Sequence, residues 1–190
     1  MSRDRILQAV RAAQPEALPM PDMAELRGMA REASAEAFAA TLALIGAECR
    51  RAASPGEIAA ALPAGQVIAS TVPGLPGTLD PFAVSDPHDL RGVDTAVVPG
   101  RFGVCENGAV WLDEGALGPH RVLPFIAQHL VLVLPARELV ASMHDAYARL
   151  GAPDTGFGVF IAGPSKTADI EQCLVIGAHG ARSCTVWLLD

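Results

Sequence analysis

The sequence predicts an α/β domain built on a largely parallel sheet, and three observations lead to that prediction. The 190 residues are 51% hydrophobic and 18% charged, which is enough apolar material for one packed core. Residues 130–134 are apolar without alternation and end at Pro135, as in a strand buried on both faces. The second half alternates strand and helix patterns, which favours helices layered on a parallel sheet. We expect one domain, 1–190, with a helical N-terminal segment at 1–53 and an α/β core at 54–190.

Two helices are predicted in the first third of the chain. Ile6 and Val10 share one face of the first helix. Phe38, Leu42 and Ile45 recur at the i, i+4, i+7 spacing of the second, which places them on one apolar stripe. Gly46 then offers a C-terminal stop for the second helix.

A short third helix is predicted to begin at Ser54. Serine is a preferred N-cap, Pro55 suits the first helical position, and Glu57 completes a capping box three residues after the serine. We expect this helix to end near Leu62, where the pattern changes.

Four strands are predicted in the middle of the chain. Short apolar runs at 67–69, 95–98 and 109–112 are separated by stretches rich in glycine and proline. The run at 130–134 is expected at the centre of the sheet because it is apolar on both faces. The segment 73–77 marks a loop that is either a lid or a plain connection.

The last third is predicted to continue as helix, strand, helix and strand. Residues 136–150 place apolar side chains at helical spacing and end at Gly151. Strands at 157–162 and 184–189 flank a helix predicted near 167–173. This order completes the α/β layering.

Charge and hydropathy exclude several classes of function. A formal charge of −7 and a pI near 5.2 argue against a nucleic-acid or anionic-membrane surface, which would need clustered lysine and arginine. No apolar run approaches the ~20 residues that cross a bilayer, and the charged first residues do not resemble a signal peptide. We therefore expect a cytoplasmic protein.

Cysteine spacing predicts no metal site and no redox cofactor in this chain. A C-x-x-C pair is the usual signature of zinc and iron–sulfur ligation. The chain has no such pair among its cysteines, which are Cys49, Cys105, Cys173 and Cys184. Buried thiols are the expected alternative.

Candidate ligand-binding residues follow the next-to-last predicted strand. Gly163, Ser165, Lys166, Thr167 and Asp169 lie where a strand would pass into a helix, and the lysine is the only one in the chain. Free N–H groups at a helix N-terminus bind anions, and an ammonium group adds a point charge. A capped helix with an acid near its N-terminus explains the same residues without a ligand.

Glu106 is a candidate catalytic carboxylate. It precedes Asn107 and Gly108, a pair preferred in tight turns. Partial burial at a strand end would suit Glu106 to acid–base or nucleophilic chemistry. The alternative is an exposed glutamate of a hairpin turn.

Histidines offer a further kind of candidate. His179 lies in the glycine-flanked segment 177–180, which can bring an imidazole close to a ligand held by the lysine. His129 precedes the buried strand and can face a pocket at its edge, whereas His144 and Asp145 are expected on the solvated flank of a helix. No pair of histidines has metal-ligand spacing with a second donor.

These motifs resemble the LUD-domain family. The resemblance rests on residues 106–108, 123–135, 163–171 and 177–180, and the nine residues from Gly163 are its most specific part. It is strong over 95–190, whereas before that stretch only helical character and length agree.

The resemblance implies both a fold and a pathway. The fold is a three-layer α/β arrangement, similar to the superfamily of ribose-5-phosphate isomerase, glucosamine-6-phosphate deaminase and the CoA transferases. The pathway is oxidation of L-lactate to pyruvate by a three-protein system, with iron–sulfur clusters in cysteine-rich partner proteins. The family often has threonine where this chain has Asn107, a difference that leaves the neighbouring acid in place.

Three functions stay open from the sequence. The first is a cytoplasmic subunit that supports L-lactate oxidation and holds a small anionic ligand. The second is a free-standing enzyme acting on a sugar phosphate or CoA ester, with the carboxylate at position 106 as its reactive group; only superfamily analogy supports it. The third is a non-catalytic adaptor whose motifs are caps and turns.

Overall fold

A parallel sheet of five strands forms the centre of the computed structural model, which describes residues 2–19, 21–22, 32–151, 156–170 and 173–190. The strand order is β1-β11-β6-β3-β2 and every neighbouring pair is parallel. These strands are β1 (Glu48–Ala52), β2 (Ile68–Ser70), β3 (Thr95–Pro99), β6 (His129–Pro135) and β11 (Ser183–Leu189).

Two smaller sheets accompany the central one. Four strands form a mixed sheet in the order β7-β4-β5-β8, and two form an antiparallel hairpin, β9 with β10. Their bounds are β4 (Phe102–Val104), β5 (Ala109–Asp113), β7 (Leu139–Val140), β8 (Gly158–Ile161), β9 (Lys166–Ile170) and β10 (Cys173–Ile176).

The helices are short; two precede β1 and the others lie between strands along the chain. The α-helices are α1 (Arg3–Ala12), α2 (Ala35–Leu44), α3 (Pro55–Ala61), α4 (Glu114–Leu117), α5 (Leu123–Ile126) and α6 (Met143–Leu150), and two 3-10 helices cover Pro81–Ala83 and Pro87–Gly92. Within the described ranges, no helix is both long and apolar enough to cross a membrane.

Strand β6 is buried on both faces, as its unbroken apolar run predicts. Leu130, Leu132 and Leu134 face one cluster, which includes side chains of α2 and of the mixed sheet. Val131 and Val133 face the opposite cluster, which includes side chains of α3. Because β6 is the third of five strands, its predicted central position is confirmed.

Several predicted elements are present within two residues of their expected bounds. The two N-terminal helices, the helix after Ser54 and the strands at 67–69, 95–98, 109–112, 157–162 and 184–189 correspond to α1, α2, α3, β2, β3, β5, β8 and β11. Ser54 accepts a hydrogen bond from the Glu57 amide, and Glu57 Oε2 accepts one from the amide of Ala53. The predicted cap therefore starts α3, although the return bond is made one residue earlier than in the standard box.

The helix predicted over 136–150 is wrong in its first half. Residues 139–140 form β7, and α6 begins only after Ser142, where Ser142 and Asp145 form a capping box. That box interrupts the apolar spacing and provides a stronger start signal than the periodicity of the upstream residues.

The helix predicted near 167–173 is also wrong, because the chain forms the β9–β10 hairpin there. Val175 pairs with Thr167, and Ile176 with Lys166. β-Branched residues favour strands, and here they prevail over a polar pattern that resembles a helix cap. The predicted anion site therefore has no helix N-terminus to supply free N–H groups.

The structure corrects the expectation for the segment 1–53 and decides between the two alternatives for the loop after β2. The segment 1–53 is not wholly helical, because β1 lies in it and pairs with β11. The loop after β2 is a packed connection, since Leu75 is buried and the amide of Leu79 donates to Ile68 O at 3.0 Å.

Candidate functional site

Four of the predicted ligand-binding residues line one pocket at the amino ends of β6 and β11. Gly163, Ser165, Lys166 and His179 all contribute to this cavity of about 320 Å³, which we call the lysine pocket. It lies where the segment after β8 passes α5 and the segment that leads into β11. The hairpin thus brings together the residues that the sequence singled out, without the predicted helix.

The backbone around Ser165 is fixed by two hydrogen bonds. Its amide donates to Ala181 O at 2.8 Å, and its carbonyl accepts from the Gly177 amide at 2.9 Å. A Cβ atom at Gly180 would stand 3.1 Å from the Ser165 Cβ, so a residue without a side chain permits this close approach. The Ser165 side chain is consequently held at the pocket wall.

Lys166 is exposed, and its ammonium group donates to the carbonyl of Ile45. Ile45 is the C-cap of α2, where unpaired carbonyls and the helix dipole favour a cation. An ammonium group has three donors, so two remain for a ligand. Lys166 therefore has a structural role at the end of α2 as well as a place in the pocket.

His179 and Phe125 are further exposed groups of the lysine pocket, beside Lys166. His179 is exposed, and Phe125 retains 41% of its surface accessible. Sequence reasoning missed Phe125, which lies in α5 four residues before β6 begins; the available signal was an aromatic residue shortly before the buried strand. The pocket thus combines a cation, a hydroxyl, an imidazole and an aromatic ring.

Burial and the charge of Lys166 both affect the pKa of the Cys184 thiol. Burial raises the pKa of Cys184 to about 12, and the positive charge of Lys166 partly opposes that rise. A thiol with this pKa is protonated at neutral pH and is a poor nucleophile. Chemistry through this cysteine is therefore not supported.

Glu106 does not line the lysine pocket. It lies in the turn between β4 and β5, where its Oε2 accepts a hydrogen bond from the Met143 amide at 2.8 Å. The Asn107 side chain accepts from the Ala109 amide at 3.0 Å and Gly108 has φ +70°, so the predicted tight turn is present. Glu106 caps the start of α6; its catalytic role stays a prediction.

The remaining candidates stand apart from the pocket lining. Thr167 is a partner of Val175 in the hairpin and does not line the cavity. Asp169 belongs to β9, but its side chain lies outside the described part of the structure. His144 and Asp145 are exposed on α6, as predicted.

This arrangement is suited to holding a small anion. Two free donors on Lys166, the Ser165 hydroxyl and the His179 ring surround a cavity of ligand size. In the described ranges, Ser165 and His179 share no hydrogen bond of the kind that activates a nucleophile. Across the same ranges, His, Cys, Asp and Glu form no group of three or more that could hold a metal ion.

Comparison with protein families gives a match that covers more than half of the chain. The model of the LUD domain matches residues 88–189. That range includes the lysine pocket and the turn at Glu106, while α1, α2 and β1 lie outside it.

Two curated relatives share the name lactate utilization protein C. The protein from Shouchella clausii (strain KSM-K16) is 34% identical over 93 residues, 46% of this chain and 40% of that protein. The one from Bacillus pumilus (strain SAFR-032) is 31% identical over 101 residues, 50% of this chain and 42% of that protein. The matches thus span about two fifths of the length of these relatives.

A solved structure has the same fold. It is the crystal structure of a DUF162 family protein from Deinococcus radiodurans, with a TM-score of 0.64 at 18% identity. The match covers 82% of this chain and 95% of that one. It supports the α/β architecture with its mostly parallel central sheet.

Proposed function

We propose that this chain, which belongs to the LUD domain family, is a component of a lactate-utilisation system and binds a small anion in the lysine pocket. The observation that carries the proposal is its similarity to two proteins named lactate utilization protein C. The geometry adds a site for the ligand, because Ser165, Lys166 and His179 line one cavity.

In this proposal the chain supports the oxidation of L-lactate to pyruvate as a subunit. The electrons would pass to iron–sulfur clusters in partner proteins, since the four cysteines of this chain lack ligand spacing. The pocket offers donors and no activated nucleophile among its described residues, so binding is its proposed contribution. We also propose that the protein acts in the cytoplasm.

A growth experiment tests the pathway. Deletion of the gene, in a strain without other lactate dehydrogenases, should impair growth on L-lactate and spare growth on pyruvate. Equal growth on the two carbon sources would contradict the proposal. Growth on pyruvate controls for general metabolic defects.

Recovery of partners tests the subunit role. A tagged copy purified from lactate-grown cells should bring down iron–sulfur proteins, identified by mass spectrometry and by their visible absorption. An isolated chain that oxidises lactate or converts a sugar phosphate or CoA ester by itself would favour the enzyme alternative instead.

A further inference from the structure

A second cavity lies on the opposite face of the central sheet, and His129 is the only residue of its lining that the sequence analysis named as a candidate. It has a volume of about 300 Å³ and is lined by Arg50, Gln66, Thr95, His129, Ser183 and Trp187, among others. We call it the histidine pocket. Cavities of this size are at the small end of ligand sites, which run from ~300 to ~1,000 Å³.

One end of the histidine pocket is polar because three adjacent parallel strands begin there in register. Thr95, His129 and Ser183 are register partners on β3, β6 and β11. His129 Nδ1 and Ser183 Oγ are 2.8 Å apart. Thr95 is 1% exposed, and its hydroxyl donates to Gln66 Oε1 at 2.6 Å.

These internal bonds leave polar groups free to face a ligand. Because the Gln66 oxygen accepts from Thr95, the amide nitrogen of Gln66 keeps both of its donors. The His129–Ser183 pair also keeps one donor in either neutral tautomer: the ring Nε2–H if the serine donates, or the serine hydroxyl if the ring donates. A ligand with hydroxyl groups can use donors and acceptors of this kind.

The other end of the pocket carries a positive charge. Arg50 pairs with Trp187 in the register of β1 and β11, and its guanidinium carbon lies 5.6 Å from the Trp187 ring centroid. Ser183, Thr185 and Trp187 alternate along β11 and form one side of the cavity. The four steps from Ser183 to Trp187 along a parallel strand span ~13 Å, so the charged and polar ends are well separated.

A ligand can bind to the charge of Arg50 with little loss of free energy from the existing ion pair with Glu48. Its Nε and Nη2 both donate to one oxygen of Glu48, at 3.0 and 2.7 Å. Both side chains are about half exposed or more, and ion pairs of this kind contribute little to stability. The remaining guanidinium donors can meet an acid group.

We infer that the histidine pocket binds a small, elongated hydroxy acid, with its acid group at Arg50 and its hydroxyl groups at the polar end. The separation of the two ends excludes the shortest acids from bridging them. The apolar wall from Leu62 and Pro63 accommodates the carbon chain. This site is independent of the proposed function, and its lining shares Leu130 alone with the lysine pocket.

Trp187 provides a reporter inside the site. The chain has two tryptophans, and Trp111→Phe leaves only the one that lines the histidine pocket. The probe is D-gluconate, an open-chain hydroxy acid. Hexanoate has the same chain length and an acid group without hydroxyls, and sorbitol has the hydroxyls without the acid.

Titration of the Trp111→Phe protein should give a saturable fluorescence change with gluconate and a weaker response, by at least about tenfold in affinity, with hexanoate and with sorbitol. Arg50→Met should weaken gluconate binding at least about tenfold, and Ser183→Ala about fivefold. Glu48→Gln should tighten it about two- to fivefold because it releases Arg50.

Lys166 lines the pocket on the other face of the sheet, so Lys166→Met should leave gluconate binding unchanged. The thermal midpoint of each variant checks that the variant folds. If Arg50→Met does not fold, Glu48→Gln and Ser183→Ala still decide the question. No saturable change with gluconate, or equal binding of hexanoate, would overturn the inference. The result does not depend on growth with lactate, so it tests this inference separately from the proposed function.

Discussion

The ammonium group of Lys166 joins the end of α2 to the lysine pocket. It donates to the Ile45 carbonyl, and two of its three donors stay free. Lys166 is the only lysine of the chain and has both a structural and a binding role. Removing its charge should affect ligand binding more than folding, so a single substitution can test the pocket.

Lys166→Met should abolish the thermal stabilisation that small anions give the wild type. A ligand at 100 times its Kd adds about 2.7 kcal/mol to the free energy of unfolding, whereas loss of the exposed bond to Ile45 should cost about 1 kcal/mol. Thermal shifts with L-lactate, pyruvate and phosphate measure both effects. Arg91→Met, which removes another exposed cation, is the control. A full shift in Lys166→Met for every anion that stabilises wild type would refute the anion site.

Glu106→Gln should leave anion stabilisation intact. The amide oxygen of glutamine can still accept from the Met143 amide, so only the charge near the start of α6 is lost, at about 0.3–1 kcal/mol. The thermal midpoint should fall by up to about 4 °C. Disappearance of the ligand-induced shift would place Glu106 at the ligand and contradict its assignment as a cap.

Asp113 links stability to pH. Burial alone would raise the pKa of this carboxyl, but hydrogen bonds from Arg101 and the Ala116 amide, together with the Arg101 charge, hold it below its usual value. A lowered pKa stabilises the folded state above the unfolded value of ~3.9, and that contribution is lost as the pH falls through the folded value.

Asp113→Asn should therefore lower the unfolding free energy by about 1 kcal/mol at pH 7. Its stability should also fall less than that of the wild type between pH 5 and the acid limit. Urea unfolding across this range measures the difference. Asp89→Asn, a change at an exposed acid, controls for the loss of one negative charge. Identical pH slopes in wild type and Asp113→Asn would rule out this contribution.

At the scale of elements, the loop after β2 depends on a close backbone approach. A Cβ atom at Gly77 would stand 2.1 Å from the carbonyl oxygen of Ile68, where neither backbone can move without breaking the pairing of β2. Gly77→Ala should cost at least about 2 kcal/mol of unfolding free energy.

Gly92→Ala is the matched control, because a Cβ there meets nothing within 4 Å and should change stability by less than about 0.5 kcal/mol. Chemical denaturation of both variants makes the comparison. If the two substitutions proved equally mild, the packed connection between the loop and β2 would be wrong.

Sequence patterns predicted elements with a clear local signal and missed elements that depend on tertiary contacts. β6 was predictable because apolar residues face both sides of it. β1 was missed because the edge strand Glu48–Ala52 is polar and charged, as edges often are. The β9–β10 hairpin was missed because Ser165 and its polar neighbours resemble a helix cap.

The candidate site was partly predictable for a related reason. Local sequence identified Ser165 and Lys166 as polar residues after a strand, and His179 between glycines. It could not show that Lys166 reaches the end of α2 or that Phe125 joins the pocket, because those contacts join distant segments. Nor could it show that Glu106 accepts a hydrogen bond from the Met143 amide, which lies 37 residues away.

At the scale of the whole molecule, the central sheet separates two pockets. Leu130, which faces the larger apolar cluster, lines both pockets, whereas Val131, which faces the smaller cluster, lines the histidine pocket and not the lysine pocket. Neighbouring residues of one strand point to opposite faces. Variants of residues that line one pocket alone should therefore leave the other pocket intact, so the contributions of the two pockets can be measured separately in the same cells.

The most direct test of the central claim is complementation of the deletion strain on L-lactate. Wild type and Arg91→Met should restore growth, while Lys166→Met, produced at the same level and folded, should not; all three should grow equally on pyruvate. Growth on L-lactate at the wild-type rate with Lys166→Met would contradict the claim that lactate utilisation depends on an anion held in the lysine pocket.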